Sequence, residues 1–191
     1  MRKLSFLLMF ILCYGITQAQ NICKVQGVVR YFYNDTFGYK ADLGAEVRFI
    51  PKTEKDTIPN CEKWEEYETK SNKVVEFLKV AAEWKEEGIY YLGESQLRAL
   101  HKVTPSDEER VKKLSQELFE EVVMLMKHED NMCLVDNTGM YSIELPKGEY
   151  YVVMRSKNRD RPLMAELVGR IYVKEVNLNS STKVISHDFD L

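Results

Sequence analysis

The hydrophobic period of this chain changes twice, and that change constrains the fold more than any other feature. Residues 22–57 and 131–191 alternate apolar and polar side chains in short runs separated by turn residues, as β-strands do. Residues 61–130 instead carry amphipathic helical spacing and contain only two glycines and one proline. No repeat, low-complexity tract or flexible linker separates the two parts. The sequence therefore predicts an α+β fold, an antiparallel β-sandwich interrupted by an α-helical insertion of two or three helices at 61–130.

The strands are predicted from alternation at period two. The first strand, within residues 22–33, presents one face made of Val25, Gly27, Val29, Tyr31 and Tyr33. Residues 34–42 carry turn residues, and a second strand follows over 45–49. After residue 131, strands are predicted over 132–135, 141–145, 150–154, 168–178 and 183–191. Short strands at close spacing favour a β-sandwich within a single domain, residues 20–191.

Two long helices and one short one are predicted in the insertion. Thr104 is a candidate N-cap, because Pro105 follows at the first helical position and Asp107 lies in the first turn. A short helix is expected over 94–103, and Gly88 is a candidate end for the first long helix. The apolar stripe of that first helix is Trp64, Tyr67, Val74, Val75, Leu78, Ala81 and Ala82, and that of the last is Val111, Leu114, Leu118, Val122 and Leu125.

Residues 1–19 have the pattern of a cleaved export signal. Arg2 and Lys3 precede an apolar stretch over residues 4–16, and small residues at 17–19 suit a signal peptidase. An uncleaved anchor is the alternative, although the stretch is shorter than the roughly 20 residues that a spanning helix needs. We expect export to the periplasm, the cell surface or the extracellular space, with no membrane span after signal cleavage.

The net charge limits the classes of partner, and the number of cysteines limits the possible disulfides. The formal net charge is −3, and it becomes −5 when Arg2 and Lys3 leave, so no basic field points to nucleic acid. The chain without its leader keeps Cys23, Cys61 and Cys133. A Cys61–Cys133 disulfide is favoured, because the two flank a helical segment whose ends should meet. Cys23 pairing with either of them, or three reduced thiols, are the alternatives.

The strand pattern resembles a known family of domains. Asp136, Gly139, Tyr141 and Ile143, followed by Leu145, Pro146, Gly148, Tyr150 and Val152, look like the hairpin of carboxypeptidase-regulatory-like domains. Those domains belong to the prealbumin-like (transthyretin-like) β-sandwiches. Residues 27–29, 44–49 and 185–191 are similar to other strands of the family, so the resemblance covers about 23–57 and 131–191. It implies a non-catalytic module of an exported bacterial protein, and the helical insertion departs from it.

Sequence motifs of the related enzymes are missing. No His-x-x-Glu begins at His101, His128 or His187, no His-Glu-x-x-His occurs, and the last four residues are not Tyr-Arg-Gly-Ser. His128, Glu129, Asp130 and Cys133 are residue types that bind metals, but they lie where a helix ends without a second cluster, and they are interpreted as a solvated helix end. His187 is interpreted as a core or edge residue. Asp188 and Asp190 share a strand face without an evident partner. The sequence therefore predicts no catalytic residue, no cofactor and no metal.

The candidate binding surface combines aromatic and basic side chains. With Tyr31 and Tyr33 assigned to the core, Phe32, Phe37 and Tyr39 remain for the loop or outer face, where rings bind sugars or peptides. Arg159 belongs to a basic loop with Arg155, Lys157 and Arg161. A solvated connection is the ordinary interpretation, and docking of an anionic polysaccharide or of the acidic insertion itself is the alternative.

Three functional hypotheses follow. The first is a non-enzymatic exported domain that binds a protein or glycan at the bacterial cell envelope, with its partner surface on the helical insertion. The second is a small hydrolase with a site between sheet and insertion, around His128 or His101. The third is a purely structural module whose helices cover one open face of the sandwich.

Overall fold

A computed structural model of the chain describes residues 21–54, 58–86, 93–159 and 168–190. The predicted signal at 1–19, Gly88 and Arg161 lie outside these residues. The described part contains three α-helices, α1 (Cys61–Glu86), α2 (Glu94–His101) and α3 (Pro105–Leu125). Its strands are β1 (Ile22–Asn34), β2 (Gly38–Ala41), β3 (Glu46–Pro51), β4 (Met132–Leu134), β5 (Met140–Pro146), β6 (Gly148–Arg155), β7 (Ile171–Leu178), β8 (Thr182–Val184) and β9 (His187–Phe189).

The first sheet is organised around the 13-residue strand β1. Its first half pairs with β5 antiparallel and with β8 parallel, and its second half pairs with β2 antiparallel and with β9 parallel. The chain after β7 can approach β1 closely only because residue 27 is glycine. A Cβ there would lie 1.7 Å from the Ile185 carbonyl oxygen.

The second sheet is fully antiparallel among the described strands, in the order β4-β3-β6-β7. One face of it packs on the first sheet and encloses a core that includes Val25, Val47, Phe49, Val152 and Phe189. The two sheets therefore form a β-sandwich, as the alternation at period two predicts.

The other face of the second sheet is covered by the helical insertion. Ile50, Tyr151, Val153, Ile171 and Val173 are buried there against side chains of all three helices. The molecule thus has three layers, two sheets and one layer of helices, and the predicted α+β sandwich with a helical insertion is confirmed. None of the helices in the described residues is long and apolar enough to cross a membrane.

The last helix follows its predicted stripe and cap. Every residue of the predicted apolar stripe is buried. Thr104 accepts a hydrogen bond from the Asp107 amide at 3.3 Å, and the Asp107 carboxylate accepts one from the Thr104 amide at 3.0 Å. This reciprocal pair is a capping box, which satisfies donors that a helix leaves unpaired at its start.

Several local predictions are corrected by the structure. Residues 38–41, expected as a turn, form strand β2, and Tyr33 is 48% exposed rather than part of the core. In α1 the buried stripe includes Phe77, whereas Ala82 is exposed. The stripe shifts because the helix packs on both β7 and α3.

The segment that resembles a hairpin is also built differently. β5 pairs with β1 in the first sheet, whereas β6 pairs with β3 and β7 in the second. Lys147 therefore lies at a crossover between the two sheets. The Tyr150 hydroxyl stabilises this crossover by donating to the Pro146 carbonyl at 2.9 Å.

The predicted disulfide is not formed in the structure, where Cys23, Cys61 and Cys133 are free thiols. Cys61 packs against the helix-side core, and Cys133 packs against the core between the sheets. The second sheet lies between these two cores and separates the two side chains. Burial raises the pKa of each of these two thiols to about 11, so both stay protonated at neutral pH.

Candidate functional site

A groove of about 450 Å³ lies between the β1–β2 hairpin and helix α1. We call it the hairpin–helix groove. Its volume is within the range of small-ligand sites in proteins. The groove is built where the sandwich meets the insertion, and its lining is Phe32, Asp35, Tyr39, Asn72, Glu76, Lys79, Val80, Glu83 and Asp190.

Two of the predicted binding residues form the sandwich wall of this groove. The rings of Phe32 and Tyr39 meet edge to face, with centroids 5.5 Å apart. Phe32 and Tyr39 are directly opposite each other in the antiparallel register of β1 and β2, which explains why their side chains share a face. Tyr39 remains 40% exposed, so part of its ring is open to a ligand.

Hydrogen bonds to the C-terminal segment hold the aromatic wall in place. The Tyr39 hydroxyl donates to the Asp190 carboxylate, and this bond raises the pKa of Tyr39 to about 12. Beside it, Arg30 binds both carboxylate oxygens of Asp188, the first at 2.7 Å. Asp188 and Asp190, for which the sequence suggested no partner, are thus both engaged by the hairpin. The phenol stays protonated at physiological pH and keeps its ring fixed.

The opposite wall is one face of helix α1. Its residues recur at intervals of three and four, which places them on one side of a helix. Lys79 reaches across the groove, where its ammonium lies 2.7 Å from the Asp35 carboxylate and 5.5 Å from the centre of the Phe32 ring. The chain's own cation therefore already uses an aromatic ring and a carboxylate of the groove.

The groove has a negative balance of charge. Four carboxylates line it, those of Asp35, Glu76, Glu83 and Asp190, against the single ammonium of Lys79. Aromatic faces bind sugar rings, apolar side chains and cations, and carboxylates accept hydrogen bonds from hydroxyl or amino groups. This arrangement suits reversible binding of a sugar or of a peptide that carries cationic groups.

Arg159, predicted as part of a binding surface, is instead buried, with only 1% of its area exposed. The reason lies in the preceding turn, where the buried Asp42 carboxylate accepts hydrogen bonds from Ser156 and Asn158. The Arg159 amide in turn donates to the Ser156 hydroxyl at 2.8 Å. These bonds turn the basic loop inward at residue 159.

The Arg159 guanidinium connects both walls of the groove from behind. It donates to the Asp190 carbonyl at 2.7 Å, to Asn72 Oδ1 at 3.3 Å and to Glu68 Oε1 at 3.1 Å. It also donates to the Gly169 carbonyl at 2.9 Å. Since Asn72 belongs to the helix wall and Asp190 to the sandwich wall, Arg159 is a positioning residue for the groove rather than a ligand contact.

Phe37, the remaining predicted aromatic, lies at the hairpin tip outside the groove lining. It is 67% exposed and lies 6.2 Å from the Tyr33 ring. Lys40 Nζ is positioned over both rings, 3.3 Å from the centre of Tyr33 and 5.1 Å from that of Phe37. The tip therefore presents a second, smaller aromatic surface next to the groove.

The histidines of the hydrolase hypothesis are in separate surroundings. His128 Nδ1 lies 3.0 Å from Glu54 Oε2, whereas His101 packs edge-on against Phe77. Within the four described ranges, no three His, Cys, Asp or Glu side chains gather as a metal site requires. His187 stacks on Tyr172 at 3.7 Å, in agreement with its interpretation as a core or edge residue.

The sequence interpretation put the partner surface on the helical insertion but did not locate it on this face of α1. The sequence prediction for this helix rests on its apolar stripe and singles out none of Asn72, Glu76, Lys79 and Glu83. Their helical spacing was a readable signal for one polar face. That this face lies opposite Phe32 and Tyr39 depends on the packing of the insertion, which no local pattern encodes.

Comparison with known proteins gives little further information. No family model and no curated protein matches the sequence. Two solved structures of the Streptococcus pneumoniae pilin RrgB are distantly similar, each at 15% identity. The pilus backbone structure has a TM-score of 0.25 and the match covers 85% of this chain and 40% of that chain; for the full-length major pilin the values are 0.26, 86% and 30%. The chain spans less than half of either pilin chain.

Proposed function

We propose that this protein is a non-enzymatic binding module of the bacterial cell envelope, and that its ligand is held in the hairpin–helix groove. The ligand is a protein or a glycan. The observation that carries the proposal is the convergence of the Phe32–Tyr39 pair with a polar face of α1 around about 450 Å³ of open space. The insertion contributes one wall, so the partner surface is shared between helix and sandwich.

Two further features support a binding role. The groove walls are fixed by hydrogen bonds before any ligand arrives, through Tyr39 with Asp190 and through Arg159 behind both walls. A preformed site loses less conformational entropy on binding, which raises affinity. The aromatic rings are partly exposed at a position where burial inside the sandwich does not explain them.

We also propose that the sandwich is a carboxypeptidase-regulatory-like domain of an exported protein. Support comes from the Asp136–Gly139 turn, in which the Asp136 carboxylate accepts hydrogen bonds from the amides of Thr138 and Met140. Gly139 has a φ of +84°, which favours glycine, as the family pattern requires at this position. The export signal predicted at 1–19 supports localisation in the periplasm, at the cell surface or in the extracellular space.

The proposal is tested by immobilising the protein and measuring what it retains from detergent-solubilised envelope of a bacterial host. We expect saturable binding to the unmodified protein and at least tenfold weaker binding to a Phe32→Ala, Tyr39→Ala double variant. Prior digestion of the extract with protease, or periodate oxidation of its sugars, identifies the ligand as protein or glycan.

The matched control is Phe119→Ala, which removes an aromatic ring that is 47% exposed on α3, outside the groove lining. Equal loss of binding in the control would contradict the assignment to the groove. Turnover of an ester or peptide substrate, abolished by one point mutation and tested with and without a chelator, would contradict the non-enzymatic proposal and favour the hydrolase.

A purely structural role is the second candidate, and one observation favours it. The insertion buries an otherwise open apolar face of the second sheet. Covering that face does not require the aromatic pair or the polar face of α1 that line the groove. If the Phe32→Ala, Tyr39→Ala double variant and the unmodified protein retain the same components of the envelope extract in the same amounts, the structural role is the better explanation.

A further inference from the structure

Strand β7 forms one edge of the second sheet, and its exposed part runs over residues 174–177, whereas Ile171, Val173 and Leu178 are buried. Among the described residues its backbone pairs only with β6. Unpaired amides and carbonyls along such an edge are a template for another strand.

The β6–β7 hydrogen bonds show which residues of β7 direct their backbone amide and carbonyl away from β6. The Ser156 amide donates to the Arg170 carbonyl at 2.8 Å, and these two residues continue the β6–β7 register. Since strand residues alternate in direction, the even-numbered residues of β7 direct their backbone groups towards β6. The amides and carbonyls that point away from β6 are therefore those of the odd-numbered residues, of which Glu175 and Asn177 are exposed and Ile171 and Val173 are buried.

Two grooves lie on either side of this edge. One of about 440 Å³ runs between β7 and α1, and one of about 290 Å³ runs between β7 and β8. Both are lined by Tyr172, Lys174 and Glu175, so they meet along the strand. Successive side chains of a strand point to opposite faces, so a strand added to β7 would direct its side chains alternately into the two grooves.

The charges differ between the two grooves. The groove beside α1 is lined by the carboxylates of Glu65, Glu68 and Glu175 and by one ammonium, that of Lys174. Two of these carboxylates already have a cationic partner, since Arg159 binds Glu68 and Lys52 binds Glu175. The groove beside β8 contains Lys174 and Lys183 with Glu175. The groove beside α1 is thus the less positive of the two, and basic side chains of an added strand are favoured there over the β8 side.

We propose that β7 binds an extended peptide segment of a partner protein as an added strand, with basic side chains at the alternate positions that face α1. A second copy of this chain fits less well. Two β7 strands that pair antiparallel about a two-fold axis overlap most when the axis passes beside Lys174 or beside Glu175. The first register places Lys174 opposite Lys174 of the other copy, and the second places Glu175 opposite Glu175. This site shares no lining residue with the hairpin–helix groove and does not depend on the function proposed there.

The probe is an eight-residue peptide of alternating lysine and valine, titrated into the full chain without its leader and followed by calorimetry. We expect saturable binding that weakens at least tenfold when backbone N-methyl groups are placed on one alternate set of residues but not on the other. The reason is that one alternate set of peptide amides faces β7 and pairs with it, whereas the other set points away. A peptide with glutamate in place of lysine should bind at least tenfold more weakly.

Variants of β7 test the same contact from the protein side. Glu175→Pro removes an outward amide without removing a hydrogen bond to β6, and the matched control Glu175→Ala removes the same side chain and its ion pair with Lys52 but keeps the amide. We expect Glu175→Pro to bind the probe at least fivefold more weakly than Glu175→Ala. No binding at millimolar peptide, or binding that is insensitive to N-methylation of either set in the unmodified protein, overturns the proposal.

Discussion

At the scale of single residues, Arg159 shows that a buried cation has a different role from an exposed one. The basic loop suggested a solvated connection or a cation that docks on a glycan or on the acidic insertion. The guanidinium is enclosed and donates to Glu68 on α1 and to carbonyls near β7 and beside β9, so docking on the insertion is the alternative that the structure shows. The burial of Asp42, which turns the loop inward, involves a residue more than 110 positions away in sequence. Local composition therefore predicted the charge of residue 159 and allowed an acidic partner on the insertion, but it did not predict the burial.

Replacing Arg159 by methionine should lower the free energy of unfolding by roughly 3 kcal/mol, because it removes one partner of a buried ion pair. Arg159→Lys should also destabilise the protein, since one ammonium cannot reproduce the planar fork that reaches several acceptors. Urea denaturation measures both, with Lys157→Met, an exposed side chain of the same loop, as the control. A loss below 1 kcal/mol in Arg159→Met would contradict the role assigned to this residue.

His187 makes stability depend on pH. Burial lowers its pKa from 6.5 to about 4 against the attraction of Glu68, Asp188 and Asp190, while the nearby Arg159 acts with burial. Between these values the unfolded chain binds a proton that the folded chain does not, so the free energy of unfolding should fall as pH drops from 6.5 to 4. His187→Phe keeps the stack on Tyr172 and should show a shallower fall. Parallel pH profiles of the two proteins would contradict this.

At the scale of elements, amphipathic spacing predicted α3 well and α1 only in part. α3 buries a single apolar stripe, so its pattern is unambiguous. α1 contacts β7, α2 and α3 and also forms a groove wall, so residues on several of its faces are in contact with other elements. The predicted apolar stripe therefore leaves out Phe77, which is buried, and includes Ala82, which is exposed. Strand β2 was missed because its four residues follow turn residues and pair only at the sheet edge.

The capping box of α3 gives a test at this scale. Thr104→Ala should destabilise the protein by about 1 kcal/mol, because the side chain that accepts the Asp107 amide is lost. The midpoint of urea unfolding measures the effect, and Gln116→Ala on the exposed face of the same helix should leave it within about 0.5 kcal/mol of the unmodified protein. An unchanged midpoint in Thr104→Ala would mean that the cap does not stabilise α3.

At the scale of the whole molecule, the sequence predicted two parts but not how they share surfaces. Alternation and turn residues located a sandwich and an insertion, because both signals are local in sequence. The covering of the second sheet by the helices and the position of the groove at their junction depend on contacts between distant residues. The crossover at Lys147 was hidden for the same reason, since a turn between two strands does not reveal which sheet each strand joins.

Removing the insertion should therefore make the sandwich aggregate. A chain in which a glycine-serine linker replaces residues 61–130 exposes an apolar face that the helices otherwise bury. Sedimentation and dye binding measure the outcome. Threonine at Ile50, Val153 and Val173 in the shortened chain should restore part of its solubility, because the exposed face is then more polar. A soluble, monomeric chain without those substitutions would contradict the three-layer account.

The hairpin–helix groove is tested most directly by photo-crosslinking in living cells of a bacterial host. A benzophenone amino acid is placed at Glu76, in the groove wall, and in a second strain at Gln116, on the exposed face of α3. The account predicts one predominant cross-linked envelope component from position 76, absent from position 116 and lost when Phe32 and Tyr39 are replaced by alanine. The same products from both positions, or products that persist in the double variant, would contradict it.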